Sequence, residues 1–353
     1  GTERLVAPQA ADLATAATAA AAVGASHAAF WTKYAFMLPV STCVATVAML
    51  TGIGGAALFS PIFLLAFPLL GSEYPLGSAA EAFNVALVTE CFGFSSGLLG
   101  YTRRGLVDWR VSLRFAAVGV PAGVCGGALI AAADATTLRT LYGALMVALG
   151  TYLVTQERED DGLCGSEEEA RAAELADDDV ECLLLTSRDG REYRYAAPSM
   201  DALAIAATAF GGGLTGLLSV GIGESVIPQL TRRAGLPLPV AAGTSVSVVI
   251  CVAVAAALAQ SAVVYDILGL TNDAAAVAAS ASSVTGDVAG SEVTAAMIPL
   301  NLVCYTVPGV ILGGQIGPRL QGLVPQGVTE KVLGTVFVAI GTAFLLAAWS
   351  AQR

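Results

Sequence analysis

Histidine is almost missing from this chain: a single residue, His27, in 353. It lies outside the long apolar runs, which excludes a histidine-based metal centre or catalytic dyad within them. Lysine is nearly as scarce, with only Lys33 and Lys331 among 17 lysines and arginines. Charged residues make up 13 % of the chain and the net charge is −11. Nucleic acid, which calls for basic patches, is therefore not an expected partner. Cys-x-x-Cys and Cys-Pro pairs are absent, which disfavours a thiol relay. Cys43, Cys91, Cys125, Cys251 and Cys304 fall in apolar segments and read as small packing residues, while Cys164 and Cys182 share a polar loop. No Ser/Lys or Asp/Asp constellation suggests an intramembrane enzyme, and no cofactor or metal is expected. Residues 1–25 lack a basic stretch followed by an apolar core, so no cleavable signal peptide is expected.

What is abundant is apolar sequence. Hydrophobic residues reach 56 % and mean hydropathy is +0.72. A helix needs roughly 20 apolar residues to cross a bilayer. Crossings are expected over 28–50, 80–101, 111–133, 138–155, 200–220, 239–264, 293–316 and 332–350. Two shorter apolar pieces, 56–70 and 225–230, each follow a glycine cluster.

Those clusters are the most informative feature. Thr51-Gly52-Ile53-Gly54-Gly55-Ala56, with Pro61 beyond, is partly repeated as Val220-Gly221-Ile222-Gly223-Glu224-Ser225, with Pro228 beyond. Glycine breaks a helix, and a following proline suits a fresh helical start. Broken helices at matching places in two halves point to a transporter's binding site.

The repeat extends further. Val120-Pro121 with Gly126-Gly127 matches Val307-Pro308 with Gly313-Gly314. Leu141 to Thr151, with Gly143 and Gly150, matches Val332 to Thr342, with Gly334 and Gly341. Residues 79–84 fall opposite 241–246. The chain thus divides into an extracytoplasmic segment (1–28), a first membrane repeat (29–155), a cytoplasmic acidic linker (156–199) and a second repeat (200–350). If each broken element is a hairpin returning to its starting side, 13 positive residues share one face. They include Arg103, Arg104, Arg232, Arg233 and those of the linker, and the positive-inside rule makes that face cytoplasmic. Loop 265–292, with no positive residue, falls outside. The expected fold is an all-α polytopic membrane protein of two inverted repeats, each a glycine-broken helical hairpin plus three transmembrane helices. Within the linker, 167–181 is acidic, and 182–195 alternates like a short hairpin around Asp189-Gly190. A solvated linker is the expectation there, with a regulatory module as the alternative.

A helix restarting after a break presents free N–H groups and the positive end of its dipole. Two such ends meeting near midplane would cradle an anion with no basic residue in mid-membrane. Candidate substrate-binding residues are Gly52, Gly54, Gly55, Ala56, Ser60, Asn84, Gly221, Gly223, Ser225, Thr244 and Ser245. Thr244 and Ser245 could instead bond back to their own helix. Gly126/Gly127 and Gly313/Gly314 read as helix-packing positions, with Pro121 and Pro308 as kinks. Intramembrane carboxylates are expensive and mark function. Glu90, in mid-helix, and Glu224, at the second break, are candidates for proton coupling, while Glu81 reads as structural near the outer interface.

At these residues the chain resembles the TauE/SafE family of membrane proteins, associated with movement of sulfite, sulfonates and related organosulfur anions. The family pattern, Gly-x-Gly-Gly-Gly then proline once per half, is met by Gly52-Ile53-Gly54-Gly55-Ala56 with Pro61 and by Gly221-Ile222-Gly223-Glu224-Ser225 with Pro228. An Ala-x-Gly-Thr-Ser stretch follows the second copy as Ala241-Ala242-Gly243-Thr244-Ser245. Ala56 replaces a third glycine, and Glu224-Ser225 replace two. The resemblance implies a plasma-membrane secondary transporter of a small organosulfur anion, with lipid and that anion as partners and homo-oligomer formation open. Alternating access and proton coupling are the expected mechanism. A cation or proton pathway through Glu90 and Glu224 is the alternative.

Overall fold

A computed structural model describes residues 30–155, 182–260, 299–320 and 326–351. His27, Cys164, the acidic stretch 167–181, loop 265–292 and the expected helix ends at 261–264 and 293–298 lie outside the described residues. Seven helices among those described are long and apolar enough to cross a membrane. The chain is an all-α polytopic membrane protein, with one small β-hairpin among the described residues.

The first half holds α1 (Met37–Thr51, closing the apolar span Phe30–Thr51), α2 (Ala56–Leu70), α3 (Ala79–Arg104), α4 (Trp109–Leu129) and α5 (Ala135–Thr155). Strands β1 (Cys182–Thr186) and β2 (Glu192–Ala196) pair antiparallel between the halves. The second half holds α6 (Ala202–Leu218), α7 (Ile222–Pro228, continued by Gln229–Arg233), α8 (Leu238–Gln260), α9 (Leu300–Leu320) and α10 (Gln326–Ala351). α6 is shorter than the crossing expected over 200–220. At 17 residues it spans roughly 25 Å, less than the ~30 Å hydrocarbon core.

Side-chain caps set the starts of α3, α4 and α6. Ser78 accepts the Glu81 N–H while Glu81 accepts the Gly77 N–H, a side-chain clasp that gives Glu81 the structural role expected of it. Asp108 and Asp201 cap α4 and α6 through their carboxylates. The prolines depart from expectation. Pro61 and Pro228 do not start helices; each lies inside one and is followed by a π-turn, Ile62–Ala66 and Gln229–Arg233. Proline has no N–H for the carbonyl four residues back, so the ladder slips there. Ala57 O, orphaned by Pro61, accepts the Tyr142 hydroxyl at 2.7 Å instead.

Packing pairs α5 with α10, α1 with α9, α4 with α6, α3 with α9, α4 with α8 and α3 with α8. Exchanging α1–α5 for α6–α10 turns this set into itself. α3 and α9 run parallel, joined by Thr89–Thr306 (3.1 Å) and Ser96 Oγ to Ile311 O (2.8 Å). α3 and α8 run antiparallel: Asn84 bonds Gln260, while Gly243 lies against Tyr101. α5 and α10 are antiparallel as well, with Gly143 facing Gly341 and Gly150 facing Gly334. Glycine permits these approaches. A Cβ on Gly126 would fall 2.0 Å from Gly213 O, and one on Gly313 2.5 Å from Thr42 O. The packing role expected of these glycines holds.

α1 and α2 form a hairpin whose open end is closed by Tyr34, stacked on Phe67 at 5.4 Å and bonded to Tyr74 O at 3.2 Å. Its tip, Gly52–Gly55, lies beside Glu90, close to the middle of α3.

Candidate functional site

The two hairpin tips meet. α1 ends on Gly52 in the left-handed region (φ +70°), where a side chain would also strike Ile227 Cδ1 at 2.8 Å and Ala242 Cα at 3.1 Å. α6 ends on Ser219, also left-handed (φ +62°), and Gly221 (φ +142°) opens α7. A Cβ on Gly223 would lie 3.1 Å from Gly54 N and 3.2 Å from Gly52 O. Main chain thus packs on main chain at the crossing.

Each break is latched to the opposite half by one serine. Ser245 Oγ, on α8, donates to Gly52 O at 3.3 Å; Ser219 Oγ donates to Phe83 O, on α3, at 2.7 Å. Phe83 and Ser245 occupy corresponding places in the repeat, while Gly52 and Ser219 share a role, the left-handed C-cap, although Gly52 aligns with Gly221. In each case a helix C-cap is tied by a serine hydroxyl to a long helix of the other half.

Two carboxylates converge on Gly54. A Cβ there would fall 3.1 Å from Glu90 Oε1 and 3.4 Å from Glu224 Oε1. Glu224 Oε2 accepts the Gly221 N–H at 3.0 Å, closing its own helix start. Glu90 faces the N–H groups of Gly55 and Ala56, the start of α2, but neither of its oxygens reaches hydrogen-bond geometry. Glu224 Oε1 is likewise buried without a partner. With 2 % and 8 % exposure, the two side chains are out of bulk water. A buried charge is costly unless paired, and among the described residues no cation pairs with either.

The remaining expected residues divide. Ser60 is fully buried on α2, its hydroxyl without a partner. Ser225 bonds back to Gly221 O and lies on the side of α7 that meets Gly211. Thr244 accepts the Asp108 N–H at 3.0 Å. Asn84 donates to Gln260, six residues and roughly 9 Å along α3 from Glu90. Of the Gly243-Thr244-Ser245 triplet, only Ser245 reaches a break, and it does so by crossing to the other half rather than bonding its own helix.

Tyr142 is a residue that the sequence reading passed over. Its buried ring packs on Phe83 and Phe344, and its hydroxyl holds Ala57 O beside Ser60. The signal was an asymmetry: Tyr142 stands where the second repeat has Leu333. A small, mostly apolar pocket opens next to Glu224, between Leu149, Tyr152 and Leu153 of α5 and Ile227 and Pro228 of α7, with Ile53 at its side. Arg232 lies over the Tyr152 ring, 5.0 Å from its centroid.

Crossing helices, two broken hairpins meeting tip to tip, and buried carboxylates at their junction define a multi-pass membrane transporter. Residues 37–344 match the family described as Sulfite exporter TauE/SafE, and the chain belongs to that family. No curated protein and no solved structure gives a significant match to the chain.

Proposed function

We propose that the protein carries a small sulfur oxyanion, sulfite or an organosulfonate, across the plasma membrane by alternating access, coupled to protons through Glu90 and Glu224. One observation carries this reading: the two helix breaks meet at Gly54 and Gly223, and two buried carboxylates without a counter-charge among the described residues face that junction, with both oxygens of Glu90 and Oε1 of Glu224 left without a hydrogen bond. Deprotonated, both would repel an oxyanion from the helix starts at Gly55 and Gly221. Protonated, each loses its charge and gains an O–H donor for the anion's oxygens. Anion and proton would then arrive together. The breaks, not a basic side chain, supply the positive field.

The substrate-contacting set is Gly52, Gly54, Gly55, Ala56, Ser60, Gly221 and Gly223, with Ser245 supporting the first break. The pocket beside Glu224 would lead from the junction toward the face bearing the β-hairpin and Arg232. The positive-inside rule makes that face cytoplasmic in this reading, because Arg103 and Arg104 at the end of α3, Arg110 at the start of α4, Arg188, Arg191 and Arg194 of the hairpin, and Arg232 and Arg233 gather there.

The alternation would follow from two inverted repeats, 29–155 and 200–350, joined by the linker 156–199. Corresponding helices that pack antiparallel, as α3 with α8 and α5 with α10 do, can be exchanged only by an axis perpendicular to them. For membrane-crossing helices such an axis lies in the bilayer plane, which supports inversion.

A second reading, a cation path, draws on the same groups, since free carboxylate oxygens also suit a cation. Uptake of radiolabelled sulfite and sulfate into proteoliposomes, with and without an inward proton gradient, separates the two. Gradient-dependent accumulation of anion is the expected result. No flux of either anion, together with sodium or proton flux, would overturn the anion reading in favour of the cation path.

A further inference from the structure

The β-hairpin between the halves has no part in the transport reading, yet a chain of contacts leads from it to the first helix break. Tyr195, near the end of β2, is 2 % exposed and donates its hydroxyl to Asp108 Oδ2 at 2.8 Å. Burial and that carboxylate push the phenol up, which keeps it a donor. Asp108 lies in the short connection between α3 and α4. Its Oδ1 accepts the N–H groups of Arg110 (2.9 Å) and Val111 (3.1 Å), and its own N–H donates to Thr244 Oγ1 at 3.0 Å. Ser245 follows directly and holds Gly52 O. Thr244 and Ser245 are fully buried. No slack separates the α3–α4 connection from α8: a Cβ on Gly243 would fall 2.4 Å from Leu106 O.

The hairpin is anchored at two further places. Ala196 N–H donates to Ala234 O at 3.1 Å, just beyond α7, and Arg188 N–H donates to Arg104 O at 3.0 Å, at the end of α3. It therefore grips the ends of helices from both halves. A solvated linker has no need of a buried tyrosine aimed at a helix-capping aspartate.

We propose that Asp108 is a positioning residue for the transport site, joining Tyr195 of the hairpin to Thr244 and, through Ser245, to the Gly52 carbonyl. Docking of the hairpin then sets the backbone of the first break. This rests on reading the breaks as the transport site, but its central test does not depend on substrate.

That test is hydrogen exchange on the full chain, following the peptide that covers residues 51–57. Tyr195→Phe removes one hydroxyl, Thr244→Val removes the next, and Thr244→Ser keeps it. Tyr195→Phe and Thr244→Val are expected to speed exchange across 51–57 by about threefold or more, with Thr244→Ser close to wild type. The double variant Tyr195→Phe/Ser245→Ala should exchange no faster than Ser245→Ala alone, since both cut one chain. Acceleration confined to 104–111 and 192–196, or effects that multiply in the double variant, would overturn the proposal. If Tyr195→Phe loses its fold, the Thr244→Val and Thr244→Ser pair decides the matter alone. In proteoliposomes Tyr195→Phe should raise KM for sulfite while leaving the maximal rate within about twofold. Absence of sulfite flux in the wild type would sink the transport reading and leave the exchange result standing.

Discussion

Gly54 and Gly223 face each other so closely that a Cβ on Gly223 would come within 3.1 Å of the Gly54 nitrogen. Two helix breaks from opposite halves of the chain thus touch through their main chains, and Glu90 and Glu224 flank the point of contact.

Gly54 is the position where the site can be changed without collapsing the bundle. The atoms that a Cβ would meet are the flexible ends of Glu90 and Glu224, not backbone. Gly54→Ala should fold with a melting temperature near wild type and transport more slowly. Gly54→Leu, which pushes both carboxylates aside, should reduce uptake by about tenfold or more. Full uptake by Gly54→Leu would mean that substrate does not pass the junction.

Glu224→Gln and Glu90→Gln keep shape and remove the titrating group. Neither should lower thermal stability, because no partner cation is orphaned among the described residues. Anion exchange across the membrane should persist in Glu224→Gln, while the dependence of uptake on a proton gradient disappears. Retention of that dependence in both variants would exclude these carboxylates as the coupling groups.

Tyr142→Phe isolates a single hydrogen bond. Ala57 O has lost its helical donor to Pro61, and the phenol replaces that donor. Removing it leaves a buried carbonyl unsatisfied, at a cost of about 1–3 kcal/mol. Chemical or thermal unfolding in detergent would reveal this as a lower midpoint, and an unchanged midpoint would show that the carbonyl finds another donor.

Gly126→Ala probes packing instead of the site. Its Cβ would fall 2.0 Å from Gly213 O, a backbone atom that cannot swing away, so α4 and α6 must separate. A destabilisation of about 1–3 kcal/mol is expected, the range typical of overpacking. Transport per folded molecule should suffer far less than in Gly54→Leu.

Asp201 gives the surface a pH dependence with a definite sign. Hydrogen bonds from Arg233 hold its carboxyl down to about 2, with the Ala204 N–H adding to the effect. A group lowered from the usual 3.8 adds stability above that value and loses it as pH falls through about 2. Asp201→Asn should therefore melt below wild type near about pH 5, and the two curves should converge toward about pH 2. A constant gap across that range would rule out the ionic contribution.

The sequence by itself determined the membrane class and the glycines at both helix breaks. Length and hydropathy of a run decide whether it can cross a bilayer, and glycine at Gly52 and Gly221 follows from backbone torsions that other residues seldom adopt. These are local properties, legible along the chain. Tertiary structure alone decided which groups meet. Thr244 turned to Asp108 while its neighbour Ser245 crossed to Gly52, and no local pattern separates adjacent hydroxyls that are both fully buried. Tyr142 joined the site because Pro61, on another helix, left Ala57 O without a donor. Pro61 and Pro228 became π-turns within helices instead of helix starts, since α2 and α7 had already restarted at the glycines before them. The linker's Tyr195 found Asp108 for the same reason: a buried donor takes the acceptor that packing brings to it, however far away along the chain.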